Sequence, residues 1–357
     1  MSKSRVGRSL RKDELHNINA PKAIASIVVN FRSPEKAVLP ISTERSSAKK
    51  SRYNKKRGTG IREIALSDIT DLAILLSQLG YPGTEVFLSK RLEEMLADRN
   101  EVLLVYERNF KVDGFIGLHF FRQLGLEGDF ARITYFIVRE GARSKGIGAE
   151  LERCITELAT ERHCNRIELH CDLRREDAHR FYLRQGYVEL PKYFIKLVAS
   201  PSSVNSTIRT SIQCATISKA EMMDASPIQV LLDELGYSYT GNFFSRTMQQ
   251  ILSDPNEILL VNAINGHVDG FIGLHFFPQV GVMGDFARIT YFCVREDARG
   301  QGIGSQMLNF IYELAAQRNC NRIEVHCHTK RLDAHRFYLQ NGYEESPKYF
   351  IKLLVTN

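Results

Sequence analysis

One stretch of sequence repeats itself at a constant spacing of 156 residues, and this restricts what the chain can fold into more than any other feature. Asp113-Gly-Phe-Ile-Gly-Leu-His-Phe-Phe121 recurs as Asp269 to Phe277, and Asp129-Phe-Ala-Arg-Ile-Thr-Tyr-Phe136 as Asp285 to Phe292. Asp177-Ala-His-Arg-Phe-Tyr-Leu183 recurs as Asp333 to Leu339, and Pro191-Lys-Tyr-Phe-Ile-Lys-Leu197 as Pro347 to Leu353, all without a gap. Solenoid units repeat every 20 to 50 residues or so, and a period this long is a whole duplicated domain. The copies are expected over 61–198 and 217–357, joined by a Ser/Pro/Asn-rich linker over 199–216. Up to about residue 100, and its partner 256, the copies differ far more than behind it, which makes the front the place where acceptor choice can diverge.

The net charge of +7 raises the question of a nucleic-acid partner. Residues 1–60 hold fifteen Lys and Arg against four acids, so the basicity lies there and the two copies are slightly acidic. This tail is expected to be largely disordered, a solvated arm or one touching nucleic acid or another acidic surface. No apolar run of roughly 20 residues is present to cross a bilayer, and the N-terminus lacks an apolar signal core, so the expected compartment is the cytoplasm. The seven cysteines are spread out and odd in number, unlike a disulfide framework. The His170-Cys171 and His326-Cys327 pairs are poor metal ligands, because neighbouring strand residues face opposite ways, so no metal is expected.

Within the first copy, Ser67 to Leu79 and Glu85 to Leu96 have helical spacing, the first stopping at Gly80 with Pro82 beyond. Val102 to Tyr106, Gly114 to Phe121 and Phe130 to Val138 read as strands. A helix from Gly146 to Arg162, a strand from Arg166 to Cys171, a helix from Asp177 to Gln185 and a closing strand from Tyr193 to Val198 complete the order. The expected fold is α/β, a mixed sheet with helices on both faces, present twice.

Strand Ile133 to Val138 runs through Arg143-Ser-Lys-Gly-Ile-Gly148 directly into a helix. Unpaired amides and the positive end of a helix dipole then meet at a strand's mouth, a site for phosphate. A Walker loop would end in Gly-Lys-Ser/Thr, and a dinucleotide fingerprint would place a small residue where Leu151 and Met307 stand. Neither pattern fits.

Arg143-Ser-Lys-Gly-Ile-Gly-Ala149 and Arg299-Gly-Gln-Gly-Ile-Gly-Ser305 resemble the cofactor loop of the GNAT (Gcn5-related N-acetyltransferase) superfamily. Ala178-His-Arg-Phe-Tyr182 and Ala334-His-Arg-Phe-Tyr338, each followed after three intervening residues by Gly-Tyr, resemble its second signature. Many members carry Asn where this chain has Arg175 and Arg331; these arginines are either phosphate contacts or solvated charges at a helix entry.

The resemblance implies tandem domains with a splayed sheet, acetyl-CoA as cofactor, and transfer of an acetyl group to a primary amine of a small molecule or protein. It implies pantetheine along Phe136, Ile137 and Val138, and along Phe292, Cys293 and Val294. Pyrophosphate would lie on Arg143, Ser144, Lys145, Gly146, Ile147, Gly148 and Ala149, and on Arg299, Gly300, Gln301, Gly302, Ile303, Gly304 and Ser305. Tyr182 and Tyr338 are the implied proton donors to the leaving thiolate, or else core packing. In strand Arg166 to Cys171, Glu168 and His170 share the face opposite Ile167, and they recur as Glu324 and His326. They are candidates for the general base, or a pair of structural polar groups. His119/His275 and Asp129/Asp285 are weaker candidates for that role, and Tyr135/Tyr291 for lining an acceptor cleft. A second expectation is that one copy works while the other only binds acetyl-CoA.

Overall fold

The computed structural model describes residues 58–190, 192–198, 216–237, 241, 243–346 and 348–354. The basic tail and most of the linker lie outside these residues. In the first copy the elements are β1 (Thr59–Glu63), α1 (Ile69–Leu79), α2 (Leu88–Ala97), β2 (Glu101–Arg108), β3 (Lys111–Phe121), β4 (Phe130–Val138), α3 (Ile147–Glu161), β5 (Arg166–Cys171), α4 (Glu176–Arg184), β6 (Val188–Leu190) and β7 (Lys192–Leu197). The second copy repeats them as β8 (Ile217–Lys219), α5 (Ala225–Glu234), α6 (Phe244–Leu252), β9 (Glu257–Ile264), β10 (His267–Phe277), β11 (Asp285–Val294), α7 (Ile303–Gln317), β12 (Cys320–Cys327), α8 (Leu332–Gln340), β13 (Glu344–Ser346) and β14 (Lys348–Leu353). The first two helices start two to three residues later than expected, because short 3-10 turns at Leu66–Asp68 and Thr84–Val86 precede them.

These strands form two seven-stranded mixed sheets, in the orders β1-β2-β3-β4-β5-β14-β6 and β13-β7-β12-β11-β10-β9-β8. The closing strand of each copy therefore sits in the sheet of the other. β14 lies between β5 and β6 of the first copy, pairing Lys348–Leu353 with Cys171–Arg166. β7 is bonded in the same way to β12 and β13 of the second. Because β7 and β14 carry the same six-residue sequence, either has the side chains that either slot requires.

In each sheet, alternate residues divide the two faces. Leu104, Ile116, Leu118, Ala131, Ile133, Ile167 and Leu169 meet Leu151, Ile155 and Leu158 of α3 and Tyr182 of α4. On the opposite face Leu103, Val105, Phe115, Tyr135 and Ile137 meet Leu72, Leu75 and Leu76 of α1 and Leu92 and Met95 of α2. The rest of that face is covered by the other copy.

The seam is reciprocal. Val280 enters the α1/α2 core of the first copy and Leu124 enters the corresponding core of the second, both fully buried. Beside them, a Cβ on Gly125 would come within 2.7 Å of the Tyr237 ring, and one on Gly281 within 2.8 Å of Tyr135. Only glycine permits that approach. Arg132 pairs with Glu324 and Arg288 with Glu168, each pair buried. The carboxylates also accept from the exchanged strands, Tyr193 Oη to Glu324 Oε2 and Tyr349 Oη to Glu168 Oε2, both at 2.6 Å. Removing one partner strands a charge in a low dielectric, a cost of about 3–5 kcal/mol. Urea unfolding of Glu324→Ala is expected to show a loss of that size, and the double change Arg132→Met with Glu324→Leu a smaller one.

Candidate active site

The parallel pairing of β4 with β5 runs only from Phe130↔Arg166 to Ile133↔Leu169. Beyond it β4 stays bonded to β3 while β5 stays bonded to β14, so a fork opens between them. The register of β3 against β4 slips between Gly117 and Leu118, leaving Thr134 as an extra residue at the fork. A Cβ on Gly117 would lie 2.6 Å from Thr134 Oγ1, so glycine makes room for this bulge. The second copy repeats the fork after Ile289↔Val325, with its slip at Gly273/Leu274.

At the end of β4 the chain turns through the glycine loop into α3. Gly146 is the N-cap, at φ +85°, and no side chain caps the helix; Gly302 does the same for α7 at φ +83°. The first-turn amides of each helix thus have neither an intrahelical acceptor nor a side-chain one, and they carry the positive end of the dipole. A Cβ on Gly146 would meet nothing within 4 Å, so open space lies beside the N-cap. Arg143 and Arg299 are exposed, and their Nε atoms donate to Val138 O at 3.2 Å and Val294 O at 2.9 Å, tying the loop to the strand end. An open, uncapped helix end beside guanidinium groups fits a pyrophosphate.

Tyr182 lies on the α3/α4 face of the fork, its ring 6.3 Å from Phe136 and 5.5 Å from Tyr187. Burial raises both the Tyr182 and the Tyr338 phenols, so each stays protonated across the neutral range. Arg175 and Arg331, standing where Asn is common in the resembled family, donate instead to carbonyls at the ends of the first helix of each copy. Arg175 reaches Leu79 O, and Arg331 reaches Leu235 O at 2.7 Å.

The polar residues of β5 and β12 occupy the seam. Glu168 and Glu324 are the buried counter-ions already described. His170 Nδ1 is 2.8 Å from Arg132 Nη2, His326 Nδ1 is 3.0 Å from Arg288 Nη2, and the two Nε2 atoms are 2.7 Å apart. His119 and His275 form a second seam pair, 2.6 Å apart at Nε2, with Nδ1 atoms 2.7 Å from Glu101 and Glu257. Tyr135 Oη donates to Gln279 Oε1 at 2.9 Å and Tyr291 Oη to Gln123 Oε1 at 2.8 Å, again across the copies. Asp285 pairs with Arg91 at 2.8 Å, and burial raises the Asp129 and Asp285 carboxyls. Arg132, Arg288, Tyr193, Tyr349, Gln123 and Gln279 were not singled out from the sequence. An arginine repeated in a strand of apolar neighbours was the signal available.

A cavity of about 70 Å³ opens at the fork of the first copy, lined by Tyr81, Arg132, Thr134 and His170 and, from the second copy, by Gln279 and Arg322 among others. A larger, open groove of about 370 Å³ runs along the outer side of α3 and brings no fork residue together.

Fork, glycine loop and tyrosine, all present twice, define an acyltransferase class, and comparison with known proteins gives the family. The chain belongs to the acetyltransferase (GNAT) family, whose model matches residues 70–187 and again 228–343. The aminoalkylphosphonate N-acetyltransferase of Salmonella typhimurium is 34% identical over 140 residues, 39% of this chain and 88% of the relative. Among solved structures, a tandem GNAT protein from the clavulanic acid biosynthesis pathway aligns with 82% of this chain and 98% of its own, at 15% identity and a TM-score of 0.49. A GCN5-related glucosamine N-acetyltransferase region of a fungal multi-domain GH3 β-N-acetylglucosaminidase aligns with 82% of this chain and 37% of its own, at 15% identity and a TM-score of 0.50, a likeness of fold. The chain is an N-acetyltransferase, and its family uses acetyl-CoA. Among the described residues no helix is long and apolar enough to cross a membrane.

Burial pushes His170 and His326 well below the ordinary imidazole range. The unfolded chain then binds protons that the folded one does not, so their contribution to stability is complete above about pH 6.5 and is lost as the pH falls below it. Each imidazole gives a slope of up to about 1.4 kcal/mol per pH unit. Unfolding free energies measured from neutral pH downward are expected to fall more gently in a His170→Gln, His326→Gln variant than in the parent.

Proposed function

We propose that each copy catalyses acetyl transfer in its own fork, to the primary amine of a small molecule. What carries this reading is the coincidence, twice, of an uncapped helix end, a splayed strand edge and a protonated tyrosine.

Bound acetyl-CoA supplies an activated thioester. The amides at residues 143–149 and 299–305 would hold its pyrophosphate, since glycine lets backbone reach the oxygens. The strand edges Phe136 to Val138 and Phe292 to Val294 would align the pantetheine, and a backbone N–H at the Thr134 or Thr290 bulge would face the carbonyl oxygen as negative charge develops there. Tyr182 and Tyr338 would give a hydrogen bond and then a proton to the departing sulfur.

Proton removal falls to His170 and His326. The amine must arrive neutral, because its lone pair is the nucleophile. Its nitrogen becomes strongly acidic on bonding to the carbonyl carbon, so an imidazole weakened by burial suffices as base. Glu168 and Glu324, paired with arginine and hydrogen-bonded by tyrosine, act as positioning residues for this pair. The Salmonella relative's name makes aminoalkylphosphonates the first acceptors to assay.

Thiol release separates this reading from one in which a single copy works. Tyr182→Phe and Tyr338→Phe are each expected to remove about half of kcat, and the double variant about a hundredfold, the usual size of an acid-catalysis effect. If one single variant abolishes turnover and the other changes nothing, one copy only binds.

A further inference from the structure

We infer that the cavity at the fork is an anion subsite shared between the copies, which selects amine acceptors carrying a phosphonate, phosphate or carboxylate at their other end. The inference rests on the fork being the acetylation site, and it adds a ligand class and a residue, Arg322, supplied by the opposite copy.

Charge balance leads to it. Arg132 and Arg322 both line the cavity, and both lean on one carboxylate, Glu324. Arg132 takes the close pairing and its side chain is 4% exposed. Arg322 Nε stands 3.8 Å from Glu324 Oε2, beyond hydrogen-bonding distance. Glu324 also accepts from Tyr193, so its oxygens are committed. Two guanidinium groups against one carboxylate leave one positive charge in excess, on Arg322, whose side chain is only 26% exposed and so is solvated on one side alone.

Unused donors sit at the same place. Arg132 Nε, Arg322 Nε and Thr134 Oγ1 are all buried without a hydrogen bond. Phe286, on the cavity wall, lies under the Arg322 guanidinium at 3.5 Å, and Phe277 under that of Arg132 at 4.8 Å, so the aromatic rings hold the cations in place without neutralising them. A partly buried excess cation with idle donors and room for a small group is complementary to an anion.

The placement suits an acceptor. Thr134 marks the fork, where the carbonyl would lie, and Arg322 stands across the seam from it. An acceptor spanning the two would present its amine to the fork and its anion to the opposite copy. The cofactor's own phosphates would be elsewhere, at the start of α3. The residues recur at the 156-residue offset as Arg288, Thr290, Gln123 and Arg166, with Arg288 and Arg166 on the Glu168 side of the seam.

Methylphosphonate, an anion without an amine, tests the subsite apart from catalysis. Titrated into the full chain, it is expected to raise the melting temperature saturably, with affinity at least tenfold weaker in Arg322→Gln and largely kept in Arg322→Lys. Saturable binding that ignores Arg322, or none, overturns the inference. A kinetic arm uses the Tyr338→Phe background, in which only the first copy turns over, with an aminoalkylphosphonate and an uncharged alkylamine of equal length. Arg322→Gln is expected to raise KM at least tenfold for the phosphonate and less than twofold for the alkylamine. Equal effects on both acceptors would also overturn it. Methylphosphonate binding without thiol release from any amine would support the subsite and count against acetylation at the fork.

Discussion

Each sheet is completed by a strand from the other copy, and the buried Arg–Glu–Tyr contacts hold that exchange in register. Tyr193 and Tyr349 reach their glutamates only because β7 and β14 have crossed. The arginines answering those glutamates stand on β4 and β11, the strands that end in the forks. Backbone exchange, ion pairing and fork geometry are thus one assembly, and the crossed strand is an interior strand of its host sheet. Buried ion pairs add little net stability over apolar packing, but they tolerate no other register, since a slip of one residue would turn the tyrosine away from its carboxylate.

The same arrangement divides the labour of the two sheet faces. The α3/α4 face carries the glycine loop and Tyr182, as the α7/α8 face carries those of the second copy. The opposite face is covered partly by α1 and α2 and partly by the neighbouring copy, so whatever approaches the fork from there meets both. Residues across the seam answer non-equivalent partners, Arg132 to Glu324 and Leu124 to the core beneath α5, and a change in one copy must be met in the other. Helices α1 and α2 pack on their own sheet and also take in Val280 and Asp285 of the other copy.

Much of this was legible in the sequence. The constant offset gave the duplication, the hydrophobic periods gave the elements, and the strand–glycine–helix order gave the loop. Alternation along Arg166 to Cys171 correctly put Glu168 and His170 on one face, but nothing local says what covers that face. Strand exchange was invisible for a specific reason: 191–197 and 347–353 are identical, so no pattern or register distinguishes the sheet each joins. Short β1 and β6 carried too few residues to show a period. In sequence, Arg175 and Arg331 fit both phosphate contacts and solvated charges, and their carbonyl partners, 96 residues away, are a tertiary fact.

Counting protons along the seam has a consequence for both copies. From Arg132 through His170 and His326 to Arg288 there are three contacts. The arginines supply the outer two, the middle one needs a single proton, and two neutral imidazoles bring two. One proton is surplus, so the three contacts cannot all be hydrogen bonds at once, and either the middle one or an outer one has to give. From Glu101 through His119 and His275 to Glu257 there are again three contacts, and burial raises both carboxyls. Two histidine pairs, each joining residues 156 apart in the chain, thus meet where the copies meet, and a proton gained or lost there is felt by both copies.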